Sequence, residues 1–321
     1  MNSSAQGSLP RVRRRTTRLV LLVVAGVALL GCGLAYEHYW LARPIGEGPA
    51  GPVVPRERFA TVWTTRQVLL VGMGDSVTAG FGVRGGYGYF DRLAENPAGE
   101  FAQMRGICLR SVLPNLRTQN LAQSGSTSLD HLDRLRSALA RQDAQTLGLV
   151  VITSGGNDLI HNYGRTPPRE GAMYGATLAQ ARPWIAAYQE RLRAMLSLLE
   201  DRFPGGLHVL LADVYDPTDG QGDASNAGLP AWPDGLQILA AYNEAIHRVA
   251  AERKYVHVVA MHDAFLGHGI HCTQFWQPHY QAADPHYWYA ANLEDPNDRG
   301  YDAIRRMMLI EIAKVFTGRP G

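Results

Sequence analysis

Five short apolar runs, separated by longer segments, constrain the fold of this chain more than any other feature. The runs are QVLLVGM at 67–73, LRTQNLA at 116–122, LGLVVITS at 147–154, LHVLLAD at 207–213 and YVHVVAM at 255–261. They are largely continuous and not alternating, which is typical of parallel strands covered by helices on both faces. The chain is therefore predicted to form an α/β domain with a parallel sheet of five strands.

The segments between these runs have the periodicity of helices. Helices are predicted near 87–95, 129–142, 177–201, 235–252 and 297–316. The chain has 321 residues, of which 46% are hydrophobic and 19% charged, so it has enough apolar side chains for one large core. Lysine and arginine number 31 against 29 acidic residues, and a net charge of +2 argues against nucleic acid as a partner.

The uncharged apolar run LVLLVVAGVALLGCGLAY at 19–36 is long enough to span a bilayer. Tyr39 and Trp40 follow it, and both residue types favour the membrane interface. Five arginines precede it: Arg11, Arg13, Arg14, Arg15 and Arg18. Because positive flanks stay on the cytoplasmic side, we expect a basic cytoplasmic tail at 1–18, a transmembrane anchor or signal segment at 19–40, and a domain on the extracytoplasmic side.

Two other interpretations of this N-terminal segment place the domain on the same side. The segment is also typical of a cleaved signal peptide, and LLGC ending at Cys32 resembles a bacterial site of lipid attachment. The domain is exported in all three cases: a retained anchor, a lipoprotein or a cleaved signal peptide. In an exported protein, Cys108 and Cys272 either form a disulfide or remain two buried thiols.

Two segments of the chain lack the pattern of regular structure. Residues 41–64 are rich in proline and glycine and are predicted to be a linker between the membrane segment and a domain at 65–321. Residues 215–233 contain DPTDGQGD, in which Asp216, Asp219 and Asp223 raise the question of calcium. The loop pattern with a terminal glutamate is absent, so a solvated loop that shapes substrate access is the preferred interpretation.

Three polar motifs directly follow the first three predicted strands. Ser76 lies in VGMGDSVTAG, Gly125 in NLAQSGSTS and Asn157 in TSGGNDL. Parallel strands place their ligands at their carboxyl ends, so a serine hydroxyl and the donors of an oxyanion hole would meet there. Each signal alone is weak, since serine caps helices and glycine and asparagine are common in turns. Their order along the chain favours a catalytic site.

These motifs resemble those of the SGNH, or GDSL-type, esterase and lipase family. GDSVTAG at 74–80 is similar to its first block with Ser76 as nucleophile, Gly125 matches the second block, and GGND at 155–158 matches the third with Asn157 in the oxyanion hole. The resemblance implies a flavodoxin-like three-layer α/β/α sandwich, the SGNH hydrolase fold. It also implies hydrolysis of a small-molecule, lipid or glycan acyl ester without a metal or cofactor.

The fourth block departs from the family pattern. The stretch NLEDPNDRGY at 292–301 has Asn292 where the family has an aspartate and Asp295 where it has the catalytic histidine. Pro296, Asn297 and Gly300 keep the register. Asp295 is therefore either a helix cap before a proline or an active-site carboxylate.

Another histidine is then needed as the general base, because an ordinary aspartate has a pKa of about 3.9 and is a poor one. Five histidines lie between the last strand and the last helix: His262, His268, His271, His279 and His286. We expect His286 to be the base, with Asp295, or alternatively Asp284, orienting its ring.

Two other roles remain open for this part of the chain. The histidines are either ordinary loop residues or, with His268, His271 and Cys272, part of a metal site. If no histidine serves Ser76, the chain is a binding protein that recognises an acylated glycan or lipid at the cell envelope.

Overall fold

The computed structural model describes residues 11–83 and 86–318, with side chains from residue 17 onward. The chain divides into two compact units, Met1–Arg43 and Pro44–Gly321. Most of the predicted linker at 41–64 thus belongs to the second unit. In the first unit, Thr17–Leu41 is the one helical stretch of the described chain that is long and apolar enough to cross a membrane, with a mean hydropathy of 2.5.

The five predicted strands form one sheet. They are β1 (Gln67–Gly74), β2 (Leu116–Asn120), β3 (Thr146–Thr153), β4 (Leu207–Ala212) and β5 (Val256–Val259). All neighbouring pairs are parallel and the order is β2-β1-β3-β4-β5. This is the flavodoxin-like order, so the predicted fold is confirmed. Because β1 lies between β2 and β3, the ends of these two strands flank its own end.

Helices cover both faces of the sheet. In chain order, the α-helices of the described chain are α1 (Arg11–Tyr36), which belongs to the first unit, and, in the second unit, α2 (Ser76–Ala79), α3 (Tyr89–Ala94), α4 (Leu109–Val112), α5 (Ser128–Ala138), α6 (Gly156–Ile160), α7 (Leu178–Arg202), α8 (Gly235–Ala251), α9 (Met261–Phe265) and α10 (Asp298–Thr317). The five predicted helices of the domain are confirmed, with ends that differ by a few residues.

The central strands are buried on both faces, which explains their continuous apolar character. Val68 and Leu70 of β1 lie in one core cluster with Tyr301 and Ile304 of α10. Leu69 and Val71 point the other way, into a second cluster built with α5, α7 and α8. The sheet therefore separates two cores, and its carboxyl edge stays accessible.

Residues 44–55 are irregular, as predicted from their proline and glycine content, but they are packed on the domain. We call this segment the strap. Ala50 and Val54 in it are 4% and 5% exposed. Asp302 Oδ2 accepts a hydrogen bond from the Ala50 amide at 3.1 Å. Arg299 Nη1 donates to carbonyl groups of the strap: Glu47 O at 2.8 Å, Gly48 O at 3.1 Å and Pro49 O at 3.0 Å.

The acidic residues of the 216–223 loop are structural, which corrects the expectation of a solvated loop. Asp216 and Asp219 are 3% and 1% exposed. Asp219 accepts hydrogen bonds from the amides of Gly267, Gly269 and His271 at 2.8–2.9 Å, which ties this loop to the segment after α9. Asp216 accepts hydrogen bonds within its own loop.

The two cysteines of the domain are buried thiols, which was the second of the two alternatives, and do not form a disulfide. Cys108 and Cys272 are both buried, and no disulfide joins them.

Candidate active site

The turn after β1 presents Ser76 to solvent. At Gly74, φ is 130°, and an added Cβ would lie 1.9 Å from Thr153 O, so only glycine fits there. The cap of α2 is Asp75, whose Oδ1 accepts from the Val77 amide at 3.1 Å. Ser76 is therefore the first helical residue and not the cap. Its amide has no partner within the helix, because the first amides of a helix never do.

Gly125 and Asn157 follow β2 and β3, the two neighbours of β1. Gly125 has φ of 78° and is exposed, and its amide has no acceptor among the described residues. Asn157 Nδ2 donates to Ser126 O at 2.8 Å, which leaves its second hydrogen for a ligand. The Ser76 amide, the Gly125 amide and the Asn157 side chain thus lie at three adjacent strand ends.

Asp295 does not cap the last helix. The cap is Asn297, whose Oδ1 accepts from the amides of Arg299 and Gly300 at 2.9 and 3.1 Å. Asn297 Nδ2 also donates to Tyr287 O at 2.7 Å, so it anchors the chain on both sides of the corner. Asp295 is thereby free of a capping role.

The Asp295 carboxylate lies beside the Ser76 side chain. Its side chain is buried, with 2% of the residue exposed, and Oδ2 accepts from Asn292 Nδ2 at 2.7 Å. Oδ1 is buried without a partner of regular hydrogen-bond geometry among the described residues, so the contact with Ser76 is a loose one. Burial raises the pKa of Asp295, and the nearby Ser76 hydroxyl and the hydrogen bond from Asn292 oppose that rise.

A second carboxylate lies next to Ser76. Asp75 is 4% exposed, and its Oδ1 also accepts from Thr153 Oγ1 at 3.0 Å. Burial raises the pKa of Asp75 to about 7; the negative charge of Asp295 adds to the rise, while Thr153 and the Val77 amide oppose it. The site therefore holds two carboxylates that bind protons more tightly than ordinary aspartates.

The structure does not bring His286 to Asp295. His286 Nδ1 lies 2.5 Å from Asp284 Oδ1, and Asp284 is also bound by Arg299. The His286 ring packs on the strap, where a Cβ added to Gly46 would lie 2.5 Å from it. Burial raises the pKa of Asp284, but the hydrogen bonds from His286 and Arg299 outweigh it and leave this pKa below its usual value. The contacts of His286 are thus those of strap docking.

The other four candidate histidines have partners elsewhere. His262 Nδ1 lies 3.1 Å from Val214 O, and the His271 Nε2 atom lies 2.9 Å from Asp223 Oδ1. The ring of His268 stacks on Trp288 with 3.5 Å between ring centroids, and burial lowers its pKa to about 4. The ring of His279 lies near Gly220. Among the described residues, no group of three or more histidines, cysteines or carboxylates is placed to hold a metal ion, and this includes His268, His271 and Cys272.

Ser76 opens into a cavity of about 1120 Å³, counted out to its open mouth. Ser76, Asp75, Asn157 and Asn292 provide part of the lining, and apolar residues from the 213–239 region provide a large part of the rest. Of the described residues that line this cavity, none is a histidine.

Asp75 and His131 were not predicted from the sequence to lie near the site. His131 of α5 is 1% exposed and lies between two hydroxyl groups, with Nε2 3.0 Å from Ser126 Oγ and Nδ1 3.0 Å from Ser154 Oγ. Burial lowers the pKa of His131. The only available signal for Asp75 was its position directly before the serine; nothing in the helical pattern of α5 distinguishes His131.

A serine at the carboxyl edge of a parallel sheet, surrounded by backbone and side-chain donors, is typical of serine hydrolases. The family comparison agrees with this class. A model described as the GDSL-like lipase/acylhydrolase family matches residues 73–303, and the chain belongs to that family.

Solved structures of GDSL-family lipolytic proteins and of esterases resemble the chain at low sequence identity. A lipolytic protein of the G-D-S-L family from Veillonella parvula is 16% identical, with a TM-score of 0.46 over 78% of this chain and 98% of its own. An acetylxylan esterase from Geobacillus stearothermophilus is 18% identical, with a TM-score of 0.48 over 80% of this chain and 96% of its own. None of these likenesses bears on the substrate. The comparison with curated proteins finds no match.

Proposed function

We propose that this chain is an ester hydrolase in which Ser76 is the nucleophile and Asp295 is the general base. The observation that carries the proposal is the contact between the Ser76 side chain and the buried Asp295 carboxylate, at the position where the family has its histidine. A raised pKa makes a carboxylate a stronger base, so burial partly compensates for the missing imidazole.

The proposed reaction has two stages, acylation of Ser76 and hydrolysis of the acyl-enzyme. Ser76 Oγ attacks the ester carbonyl while its proton passes to Asp295, and the resulting oxyanion is held by the amides of Ser76 and Gly125 and the side chain of Asn157. The intermediate collapses, the carbon–oxygen bond to the alcohol breaks, and Asp295 returns the proton to the alcohol. Water then attacks the acyl-Ser76 ester while its proton passes to Asp295. The bond between the acyl carbon and Ser76 Oγ breaks, Asp295 returns the proton to Ser76 Oγ, and the acid is released.

His286 is not part of this mechanism, since its contacts are with Asp284 and the strap. Asn292 has a positioning role in the proposal, because its Nδ2 holds Asp295 Oδ2 at 2.7 Å.

The proposal is tested by hydrolysis of 4-nitrophenyl esters by the purified protein with and without Ser76→Ala. We expect the wild type to hydrolyse these esters and Ser76→Ala to show only background hydrolysis. The oxyanion hole is tested by Asn157→Ala, for which the loss of one donor predicts a decrease of about 10²–10³ in kcat. Equal hydrolysis by the wild type and Ser76→Ala would contradict the assignment of the nucleophile.

A second candidate function is binding of an acylated ligand without turnover. The observation in its favour is the lack of a histidine among the described residues that line the cavity. A fluorophosphonate probe separates the two candidates, because it reacts with a serine only when the serine is activated. Labelling of the wild type and not of Ser76→Ala supports the hydrolase, whereas no labelling of a folded wild type supports the binding protein.

We also propose that the domain is exported and held at the membrane by the N-terminal segment. The support is the length and hydropathy of Thr17–Leu41 and the arginines that precede it. Protease treatment of spheroplasts is expected to digest the domain. The mass of the mature protein, with Cys32→Ala as the variant, distinguishes a retained anchor from a lipidated or cleaved form.

A further inference from the structure

One wall of the cavity next to Ser76 consists of large apolar side chains, which the chemistry at the serine does not itself need. Leu229, Trp232, Leu236 and Leu239 line it, and all four come from the loop before α8 or from α8 itself. We propose that this wall binds the acyl chain of the substrate, and that the substrate class is an ester of a fatty acid and not an acetate. The inference rests on the proposed function and names the substrate of the same site.

The carboxylates and the hydroxyl group in this part of the lining are hydrogen-bonded to other groups of the protein. Asp216 accepts from Thr218 N and Oγ1 and from the Gly220 amide at 2.7–2.8 Å. Thr218 Oγ1 also accepts from the Gly222 amide at 2.9 Å. Asp213 accepts from the His262 amide at 2.7 Å, and its other oxygen lies 3.0 Å from His247 Nε2. These groups are therefore already hydrogen-bonded within the protein.

The aromatic residues of the lining likewise turn their polar atoms into the protein. Tyr174 OH donates to Pro230 O at 2.6 Å, and Trp232 Nε1 donates to Ala176 O at 2.8 Å. Tyr215 OH donates to Glu294 O. The Tyr174 and Trp232 rings pack together with 4.8 Å between centroids, so they form a fixed apolar surface.

A ligand in this part of the cavity therefore finds apolar surface and few free hydrogen-bonding groups. Sugar hydroxyl groups would lose their water without replacement, which is costly, whereas an alkyl chain gains from leaving water. Each methylene buried is expected to raise kcat/KM about fourfold, which corresponds to ~0.8 kcal/mol. The free polar groups of the cavity are concentrated at Ser76 and Asn157, where the ester group must lie.

The test compares the full chain with Leu236→Asp, using 4-nitrophenyl acetate and octanoate. Leu236 lies in the first turn of α8, after the cap Asp234, and a carboxylate is well tolerated at a helix N-terminus. The matched control is Leu129→Asp, at the same position of α5 after the cap Thr127, where the leucine is 45% exposed and does not line the cavity.

We expect the wild type to prefer octanoate over acetate by at least tenfold in kcat/KM. Leu236→Asp is expected to lower that ratio at least tenfold, and Leu129→Asp to leave it unchanged. A wild-type ratio of one or less, or the same ratio in both variants, would overturn the acyl-chain assignment while the hydrolase proposal stands.

A binding measurement keeps the two proposals separable. The Ser76→Ala chain is titrated with decanoate and with xylotriose, by displacement of a fluorescent fatty acid. Binding of decanoate that is lost on adding Leu236→Asp supports the acyl site even if the wild type hydrolyses no ester, in which case only the proposed function fails. Displacement by xylotriose alone, or no specific binding, overturns the acyl site.

Discussion

At the residue scale, the site depends on how a carboxylate behaves at Asp295. An imidazole has a pKa near working pH and a second nitrogen for an orienting acid, and a carboxylate has neither. Asp295 partly meets the first need because burial raises its pKa. It meets the second with Asn292, a neutral donor that orients it without adding charge. In the proposed mechanism, Asn292 and Asp295 thus take the places that an aspartate and a histidine have in the family.

Asp295→Asn tests the base. The amide keeps the shape of the side chain but cannot accept the Ser76 proton, so we expect kcat/KM to fall by about 10²–10⁴, the contribution of a general base. The control is Asp133→Asn on α5, whose side chain is 81% exposed and which we expect to be fully active. Full activity of Asp295→Asn would assign the base to another group.

The double variant Asn292→Asp with Asp295→His restores the family's pair of residues. We expect it to hydrolyse 4-nitrophenyl esters, with activity that rises with pH through the pKa of a histidine, about 6.5. In the wild type the same rise is expected to follow the pKa of Asp295, and kcat/KM measured from pH 4 to 9 compares the two. An inactive wild type beside an active double variant would favour the binding protein.

Asp75 makes the stability of the domain depend on pH. Its pKa is about 7 in the folded protein against 3.8 ordinarily, so the folded state holds a proton that the unfolded state has lost. This contribution to the free energy of unfolding is complete below about pH 4 and is lost as the pH rises through 7. We expect Asp75→Asn, which keeps the cap, to be more stable at pH 8 by roughly 4 kcal/mol, at 1.36 kcal/mol per pKa unit.

Thermal unfolding between pH 4 and 8 measures this difference, with Asp133→Asn as the control. Parallel curves of Tm against pH for the wild type and Asp75→Asn would show that Asp75 is ionised throughout this range.

The sequence predicted some neighbours in the site better than others. Ser76, Gly125 and Asn157 meet because three adjacent strands end at one edge, and that follows from strand order alone. The partners of His286 follow instead from where the strap and Arg299 lie, which no local pattern encodes. The same holds for the cap of α10: DPN offers two caps, and only the backbone geometry selects Asn297 over Asp295.

At the scale of elements, α5 positions the oxyanion donors through His131. The Ser126 hydroxyl that His131 contacts also donates to Gly74 O at 3.1 Å, and the Ser126 carbonyl holds Asn157. Ser126 directly follows Gly125. A single buried imidazole thus links the ends of β1, β2 and β3, the three strands that carry the site.

His131→Phe is expected to lower stability by about 1–3 kcal/mol, because two buried hydroxyl groups lose a partner. As a positioning residue, His131 should affect kcat more than KM, since the donors it holds matter most for the oxyanion. The control is His257→Phe on β5, where the histidine is half-buried and does not line the cavity. A loss of stability with unchanged kcat would limit His131 to a structural role.

The regular elements were predictable and the loops were not, for a physical reason. Continuous apolar strands and periodic helices follow from burial on one or two faces, which the sequence records locally. The loop at 216–223 looked solvated because aspartates are usually exposed. Its carboxylates are instead buried against backbone amides of a segment that begins far along the chain, at Gly267.

At the scale of the whole molecule, the strap joins the start of the domain to its last helix. Arg299 is 7% exposed and Asp302 is fully buried, and both bind the strap. Asp302 also pairs with Arg305 and Arg306, and Arg305 with Glu100, so the strap covers a buried group of charges. Any N-terminal processing before Pro44 leaves this arrangement intact.

Two shortened chains test the contribution of the strap, one starting at Pro44 and one at Arg56. The second lacks Ala50 and Val54 and leaves Arg299 and the Asp302 carboxylate without their strap partners, so we expect a loss of at least about 3 kcal/mol. Because 1 kcal/mol shifts Tm by about 2–4 °C in a domain of this size, Tm should fall by roughly 10 °C. Both chains lack the membrane segment, so the strap is their only difference. Equal Tm values would mean that the strap is only a tether, as its composition first indicated.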